Sequence, residues 1–145
     1  RTSQLDSLHE RERNMIPLLI AEDSPFLEKM IVDCLNKAGY MNVVKASNGQ
    51  EAWDILCDYK KKGNIKNSIR LVVTDIEMPQ MDGHRLTKLI KSDSYLKQIP
   101  VFLFSSLIDD KMRIKGESVG ANEQFSKPQI NVLVETLPRY LKRND

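Results

Sequence analysis

The sequence has little cysteine and no long apolar run. Its two cysteines, Cys34 and Cys57, lie far apart and form no CxxC pair. This spacing argues against a disulfide framework or a zinc site, and we expect reduced thiols with Cys34 as core filler. No segment approaches the roughly 18 apolar residues of a membrane span, and the amino terminus lacks the pattern of a signal peptide. We therefore expect a cytoplasmic protein with no membrane insertion.

The sequence also lacks an excess of charge of either sign. Its 22 basic and 20 acidic side chains leave a formal net charge of +2. No overall field therefore attracts the chain to nucleic acid or anionic lipid. The local basic run Lys60, Lys61 and Lys62, with Lys66, has no interleaved aromatic side chain apart from Tyr59. We interpret it as a solvated loop, and we predict no nucleic-acid partner.

The length and composition predict one domain. With 145 residues, of which 41% are hydrophobic, the chain can bury one core. Residues 1–14 are charged and have few apolar side chains. We interpret 1–14 as a linker or an expression remnant, and 15–145 as the folded domain.

Short apolar runs alternate with amphipathic segments from Ile16 onward. The runs are PLLIA at 17–21, NVVKA at 42–46, RLVVTD at 70–75, VFLFSS at 101–106 and EQFSK at 123–127. This alternation is typical of repeated βα units, and runs that are apolar on both faces indicate a sheet covered by helices on each side. Right-handed crossovers leave few topologies. We predict an α/β fold of the doubly wound, flavodoxin-like kind: a five-stranded parallel sheet in the order 2-1-3-4-5, flanked by five helices.

Local signals indicate where the helices begin and how regular they are. Ser24 is a predicted N-cap, and Asn48 with Glu51 forms a predicted capping box. Gly116 weakens the helix predicted after the fourth strand. Pro138 is expected to disturb the last helix, because proline lacks a backbone N–H.

Four of the five predicted strands end in polar side chains that could meet at one edge of the sheet, whereas the second strand ends on Ala46 and Ser47, outside this cluster in the predicted order. Glu22 and Asp23 follow the first strand, Asp75 ends the third, Ser105 the fourth and Lys127 the fifth. A single acidic residue after a strand is usually a solvated turn or a helix cap. In open α/β sheets, however, ligands bind outside the carboxyl ends of the strands, near the point where the strand order reverses. The agreement of four strand ends therefore predicts a functional site at this edge.

The chemistry of these side chains predicts a bound cation and a nucleophile. Carboxylates about 4 Å apart repel by about 4 kcal/mol per pair at an effective dielectric constant near 20, which one lysine cannot offset. Oxygen ligands with room for water favour Mg²⁺. A carboxylate beside Mg²⁺ and lysine can attack a phosphoryl group and form an acyl phosphate. We predict Asp75 as this nucleophile, with Lys127 neutralising the phosphoryl oxygens and Ser105 donating a hydrogen bond.

On these residues, the chain resembles the receiver domain of bacterial two-component response regulators, over residues 16–142. The motifs are ED at 22–23, TDIEMPQMDG at 74–83, PVFLFSS at 100–106 and SKP at 126–128. The stretches FSSLI, MRIKG and VGANEQFSKP are similar to the receiver of chemotaxis coupling proteins of the CheV type, which follows a CheW-like scaffold domain. The chain is identified as a CheY-like receiver.

The resemblance implies a phosphoacceptor in a cytoplasmic chemotaxis pathway, with at most self-phosphorylation and autodephosphorylation as its own activity. A histidine kinase, of the CheA type, would donate a phosphoryl group to Asp75. The implied Mg²⁺ ligands are Glu22, Asp23, Asp75 and the Glu77 carbonyl. The resemblance also implies that Ser105 shifts toward the phosphate, and that the Lys127–Pro128 peptide is cis, which proline makes affordable.

Two positions depart from the family pattern. Most receivers carry aspartate where Glu22 stands, which lengthens one ligand by a methylene. The position three before the lysine, often an aromatic switch residue, is Gln124, with Phe125 beside it. Coupling of the hydroxyl movement to an aromatic flip is therefore in question.

Two alternative functions share the same residues. One is a metal-dependent phosphatase of similar fold, although neither a separate general base nor a substrate-capping insertion is visible in the sequence. The other is a pseudo-receiver, a structural adaptor that takes no phosphate. A second ligand or a phosphohistidine is the functional alternative for His84, and we interpret it instead as a polar surface residue in the first turn of a helix.

Overall fold

The computed structural model describes residues 10–106 and 108–141. These residues contain a five-stranded sheet with the order β2-β1-β3-β4-β5, in which all neighbouring strands are parallel. The strands are β1 (Leu18–Ala21), β2 (Val43–Ala46), β3 (Leu71–Asp75), β4 (Val101–Ser105) and β5 (Glu123–Ser126). The predicted topology is confirmed.

Five longer helices flank the sheet, as predicted: four connect consecutive strands and one follows β5, and two short helices accompany them. The helices are α1 (Glu10–Met15), α2 (Pro25–Lys37), α3 (Gly49–Lys62), α4 (Ile65–Ser68), α5 (Gly83–Ser92), α6 (Asp110–Ser118) and α7 (Ile130–Leu141), with 3₁₀ turns at Leu96–Gln98 and Lys127–Gln129. The sequence pattern did not indicate the short helices α1 and α4. No helix in the part of the chain that the structure describes is long and apolar enough to cross a bilayer.

The sheet has a hydrophobic core on each face. In β1, Leu18 and Ile20 pack with side chains of α2 and α7, whereas Leu19 and Ala21 pack with side chains of α3 and α5. All four are essentially inaccessible to solvent. Because successive side chains of a strand point to opposite faces, a central strand between two helical layers is apolar at every position.

The two predicted N-caps form, but Glu51 accepts its hydrogen bond from a different residue than predicted. The Ser24 hydroxyl accepts a hydrogen bond from the Leu27 N–H at 3.3 Å, and the Asn48 side chain accepts one from the Glu51 N–H at 2.8 Å. The Glu51 carboxylate accepts from the Ser47 N–H instead of completing the predicted box at Asn48. Both helices that follow the first two strands therefore begin where the sequence predicts.

Two helix boundaries correct the sequence-based predictions. The run Lys60, Lys61 and Lys62 is not a loop: it forms the last turn of α3, which ends at Gly63 with φ 78°. Cations at a helix carboxyl terminus interact favourably with the helix dipole. Helix α7 continues through Pro138 to Leu141. Proline removes one backbone donor three residues before the helix ends, and the buried leucines on its inner face hold the last turn against the core.

Helix α1 corrects part of the predicted linker. Residues 1–9 of that linker lie outside the described residues, but Glu10–Met15 is helical and packs against the carboxyl end of α2. The Arg13 guanidinium donates to the Ala38 carbonyl at 2.8 Å, and its side chain lies against Gly39. Asn42 donates to the Met15 carbonyl at 3.2 Å. Tertiary contacts therefore stabilise a helix that is too short to form alone.

We expect Arg13→Ala to lower the free energy of unfolding by about 1–2 kcal/mol, because a charged donor to the Ala38 carbonyl is lost. Urea denaturation followed by circular dichroism measures the change. Arg11→Ala is the matched control, because Arg11 is exposed on the same helix. Equal stability of the two variants would show that α1 contributes nothing through this contact.

Candidate functional site

The three predicted carboxylates meet at the carboxyl edge of the two central strands. Glu22 and Asp23 directly follow β1, and Asp75 is the last residue of β3. Oxygens of Glu22, Asp23 and Asp75 lie within 4.8 Å of one another. Glu22 and Asp75 are buried, and Asp23 is exposed. The cluster therefore opens to solvent on the Asp23 side.

Lys127 reaches the cluster from the other side of β4. Its Nζ lies 3.4 Å from Glu22 Oε1 and 3.5 Å from Asp75 Oδ1, and its side chain is 14% exposed. Ser105 is buried at the end of β4, one position beyond Phe104, which pairs with Asp75 across the sheet. The structure thus brings the acidic residues and the lysine together, with Ser105 at the end of the neighbouring strand.

The backbone around Asp75 fixes the direction of its carboxylate. The Ile76 N–H donates to Asp75 Oδ1 at 2.9 Å, and the Thr74 hydroxyl donates to the Asp75 carbonyl at 2.8 Å. Gly83 lies against the same carbonyl, so closely that a Cβ there would be 2.1 Å from the oxygen. Sequence reasoning identified Asp75 but missed these supports. The signal for Gly83 was present, since glycine near the end of a turn often allows a close backbone approach.

Burial makes the negative charges of this site unfavourable. It raises the pKa of Glu22 to about 7, and the Asp75 charge adds to the effect, while the Ser24 N–H and Lys127 oppose it. Burial also raises the pKa of Asp75, against the opposing effects of Lys127 and the Ile76 N–H. One lysine therefore does not balance three carboxylates.

The donor set fits a hard divalent cation. Three carboxylates from two strand ends offer oxygen ligands, and no histidine or cysteine belongs to this group. Glu22 Oε1 is buried and accepts no hydrogen bond from the residues that the structure describes, so it has capacity for a metal ion. Oxygen-only sites of this size suit Mg²⁺. Glu77 lies in the connection after Asp75 with an exposed side chain, and its carbonyl as a ligand stays a prediction.

The Lys127–Pro128 peptide is trans, which corrects the implied cis bond. No cis peptide occurs among residues 10–106 and 108–141. The trans form is favoured by about 0.5–1 kcal/mol before proline. Here Pro128 enters a 3₁₀ turn, in which the Gln129 side chain accepts from the Ser126 N–H at 3.0 Å. This turn follows β5 directly, with Lys127 as its first residue.

His84 is buried, which corrects its assignment to the surface. It is 5% exposed, and its Nε2 has no hydrogen-bond partner among residues 10–106 and 108–141. Burial lowers its pKa, and the charge of Lys115 acts in the same direction. The inner face of α5 begins one turn earlier than the leucines suggested, at Gly83 and His84. His84 is not a member of the carboxylate cluster and is not a metal ligand there.

Gln124 and Phe125 point to opposite sides of β5. The Gln124 amide donates to the Arg113 carbonyl of α6 at 3.0 Å. Phe125 is buried on the other face, with its ring centroid 5.5 Å from that of Phe102. Strand alternation therefore prevents Phe125 from taking the place of a switch aromatic at Gln124.

The comparisons agree with this geometry. The sequence matches the response regulator receiver domain over residues 18–137. It is 32% identical to the chemotaxis protein CheY1 of Helicobacter pylori over 129 residues, which are 88% of this chain and 98% of that protein. The structure is similar to that of the Vibrio cholerae chemotaxis protein CheY4, with a TM-score of 0.72, 27% identity and coverage of 88% of this chain and 99% of the other.

A putative response regulator from Chloroflexus aurantiacus gives a TM-score of 0.75 at 28% identity, covering 88% of this chain and 98% of that one. The match extends over all five strands and the residues at their carboxyl ends. The chain therefore belongs to the response regulator receiver family of two-component signalling proteins.

Proposed function

We propose that this chain is a phosphoacceptor: Asp75 accepts a phosphoryl group from a phosphohistidine of a sensor kinase, with Mg²⁺ bound beside it. The observation that carries the proposal is the meeting of three carboxylates within 4.8 Å, with Lys127 Nζ at 3.5 Å from Asp75. A site that only stabilised the fold would not need to concentrate negative charge in this way.

The transfer needs no proton from the acceptor. One oxygen of the Asp75 carboxylate attacks phosphorus, and the phosphorus–nitrogen bond of the donor breaks, with its electron pair leaving on the imidazole nitrogen. Oδ1 is engaged by the Ile76 N–H and lies 3.5 Å from Lys127 Nζ. We assign the attack to the other carboxylate oxygen, Oδ2.

The surrounding side chains hold the charge of the transferred group. Lys127 neutralises oxygens of the phosphoryl group, and Ser105, at the end of β4, donates a hydrogen bond to one of them. Glu22, Asp23, Asp75 and the Glu77 carbonyl would hold Mg²⁺. When bound, the ion supplies the positive charge that Lys127 alone does not.

The pathway that we propose is chemotaxis. The support is the similarity to a chemotaxis protein CheY1, together with the CheV-like stretches FSSLI, MRIKG and VGANEQFSKP. The kinase is then of the CheA type, the compartment is the cytoplasm, and a CheW-like domain precedes this one in the full-length protein. Sequencing the complete reading frame tests the last point directly.

The test of the phosphoacceptor is intact-mass spectrometry after incubation with acetyl phosphate. We expect the mass of one phosphoryl group to be added in the presence of Mg²⁺ and nothing to be added with EDTA. Steady turnover of a small phosphoester, with no covalent adduct, would instead indicate the metal-dependent phosphatase. No labelling under any condition, even with a kinase donor, would indicate the pseudo-receiver.

We expect Mg²⁺ to bind more tightly as pH rises from about 6 to 8. Glu22, with a pKa of about 7, must lose its proton before it can bind the ion, so binding releases a proton below that pH. In the metal-free protein, we expect stability to change in the opposite direction with pH. The pKa of Glu22 is near 4.5 in the unfolded chain and about 7 in the folded chain, so the free energy of unfolding falls as pH rises from about 4.5 to about 7.

Isothermal titration calorimetry in buffers of different ionisation enthalpy measures the released protons. Glu22→Gln is the control, because it keeps the side-chain shape but has no proton to lose. Mg²⁺ affinity in wild type that does not change over this pH range would contradict the assignment of Glu22.

A further inference from the structure

We propose that Gly49, the first residue of helix α3, is a positioning residue for the metal site, acting through the loop at 76–82. This inference rests on the proposed function, because the loop contains Glu77, the predicted carbonyl ligand. Gly49 itself contributes no side chain to the site. Its role is to leave room for the loop.

The contact is between backbone atoms. A Cβ added to Gly49 would lie 2.2 Å from the Met81 carbonyl oxygen and 2.9 Å from the Met81 carbonyl carbon. Real Cβ atoms do not approach this closely, and no flexible side-chain end is available to move aside. The φ angle of Gly49 is not in the left-handed region, whereas those of Gly39, Gly63 and Gly120 are. Space, and not backbone conformation, therefore requires glycine here.

Helix α3 cannot move away to make room for a methyl group at residue 49, because its first turns are held in place. Asn48 caps its first turn by accepting from the Glu51 N–H at 2.8 Å, and Glu51 in turn accepts from the Ser47 N–H. Ala52 and Leu56, one and two turns further along α3, are fully buried against the sheet. The amino terminus of α3 is therefore held in place at the point where the loop contacts it.

Backbone hydrogen bonds restrict the conformation of the loop at 76–82. The Met81 N–H donates to the Pro79 carbonyl at 2.7 Å, around Gln80, whose φ is 69°. The Gly83 N–H donates to the Ile76 carbonyl at 2.8 Å and closes the loop. A methyl group on residue 49 would displace a short, closed segment that includes Glu77.

The experiment compares Mg²⁺ binding to wild type, Gly49→Ala and Gly116→Ala by calorimetry. We expect Gly49→Ala to raise the dissociation constant for Mg²⁺ about 10- to 100-fold, the range for changes that support a metal ligand indirectly. Gly116→Ala is the matched control, because its added methyl would meet the side-chain amide of Gln124 and no atom of the loop. It should bind Mg²⁺ as wild type does.

Amide chemical shifts of the metal-free proteins provide the second readout. We expect Gly49→Ala to shift the signals of residues 76–83 and of the first turn of α3, with the rest of the sheet unchanged. Unaltered Mg²⁺ affinity in Gly49→Ala would overturn the inference while leaving the proposed function intact. Loss of the dispersed spectrum would also overturn it, because the glycine would then serve the whole fold. Failure of wild type to bind Mg²⁺ would remove the proposed function itself.

Discussion

Asp75→Asn is expected to abolish phosphoryl incorporation from acetyl phosphate or a phosphorylated kinase. The amide offers no anionic oxygen to attack phosphorus. The hydrogen bond from the Ile76 N–H orients the Asp75 carboxylate and not the other carboxylates of the site. Intact-mass spectrometry with Mg²⁺ measures the result. Asp58→Asn is the matched control, because Asp58 is an exposed aspartate on α3 that pairs only with Lys62 within the described residues. It should be labelled like wild type.

The same substitution should stabilise the metal-free protein. Burial raises the pKa of Asp75, which means that its ionised form is less favourable in the folded chain than in water. A neutral amide removes that cost, so Asp75→Asn should unfold at higher urea concentration than wild type at pH 7.5 with EDTA. Undiminished labelling of Asp75→Asn would refute the acceptor assignment, and this stability measurement shows that lost labelling does not result from unfolding.

Lys127→Met is expected to lower the free energy of unfolding of the metal-free protein by about 3–5 kcal/mol at pH 7.5, the range for removing one partner of a buried ion pair. The Lys127 side chain is 14% exposed, and its Nζ lies 3.4 Å from Glu22 and 3.5 Å from Asp75. The loss should be smaller at pH 5. Glu22 already has a pKa of about 7 with the lysine present, and it is protonated there.

Urea denaturation at the two pH values measures this effect, and added Mg²⁺ should recover part of the loss. Lys29→Met is the matched control: Lys29 pairs with Asp33 at 3.1 Å, but both side chains are more than half exposed. Such surface pairs contribute about 0.5 kcal/mol or less. If Lys127→Met were no less stable than Lys29→Met, the lysine would not be balancing the carboxylates.

Much of the fold could be predicted because each element carries a local signal. The run LLIA is apolar at every position, which indicates a strand covered on both faces, and Ser24 and Asn48 mark the helix starts. Strand alternation with helices then leaves few topologies. The meeting of the three carboxylates and Lys127 could be predicted as well, since the carboxyl ends of parallel strands share one edge. Their individual roles stay predictions that the variants above test.

The sequence by itself determined which segments are strands, and thereby which side chains gather at one edge of the sheet, because period and capping are local properties. Only the tertiary structure decided the burial of His84, the hydrogen bond from Gln124 to the Arg113 carbonyl of α6, and the packing of α1 against α2. The tertiary structure also decided the close contact between Gly49 and the Met81 carbonyl. Each depends on contacts between segments far apart in the chain, whose energies no local pattern records.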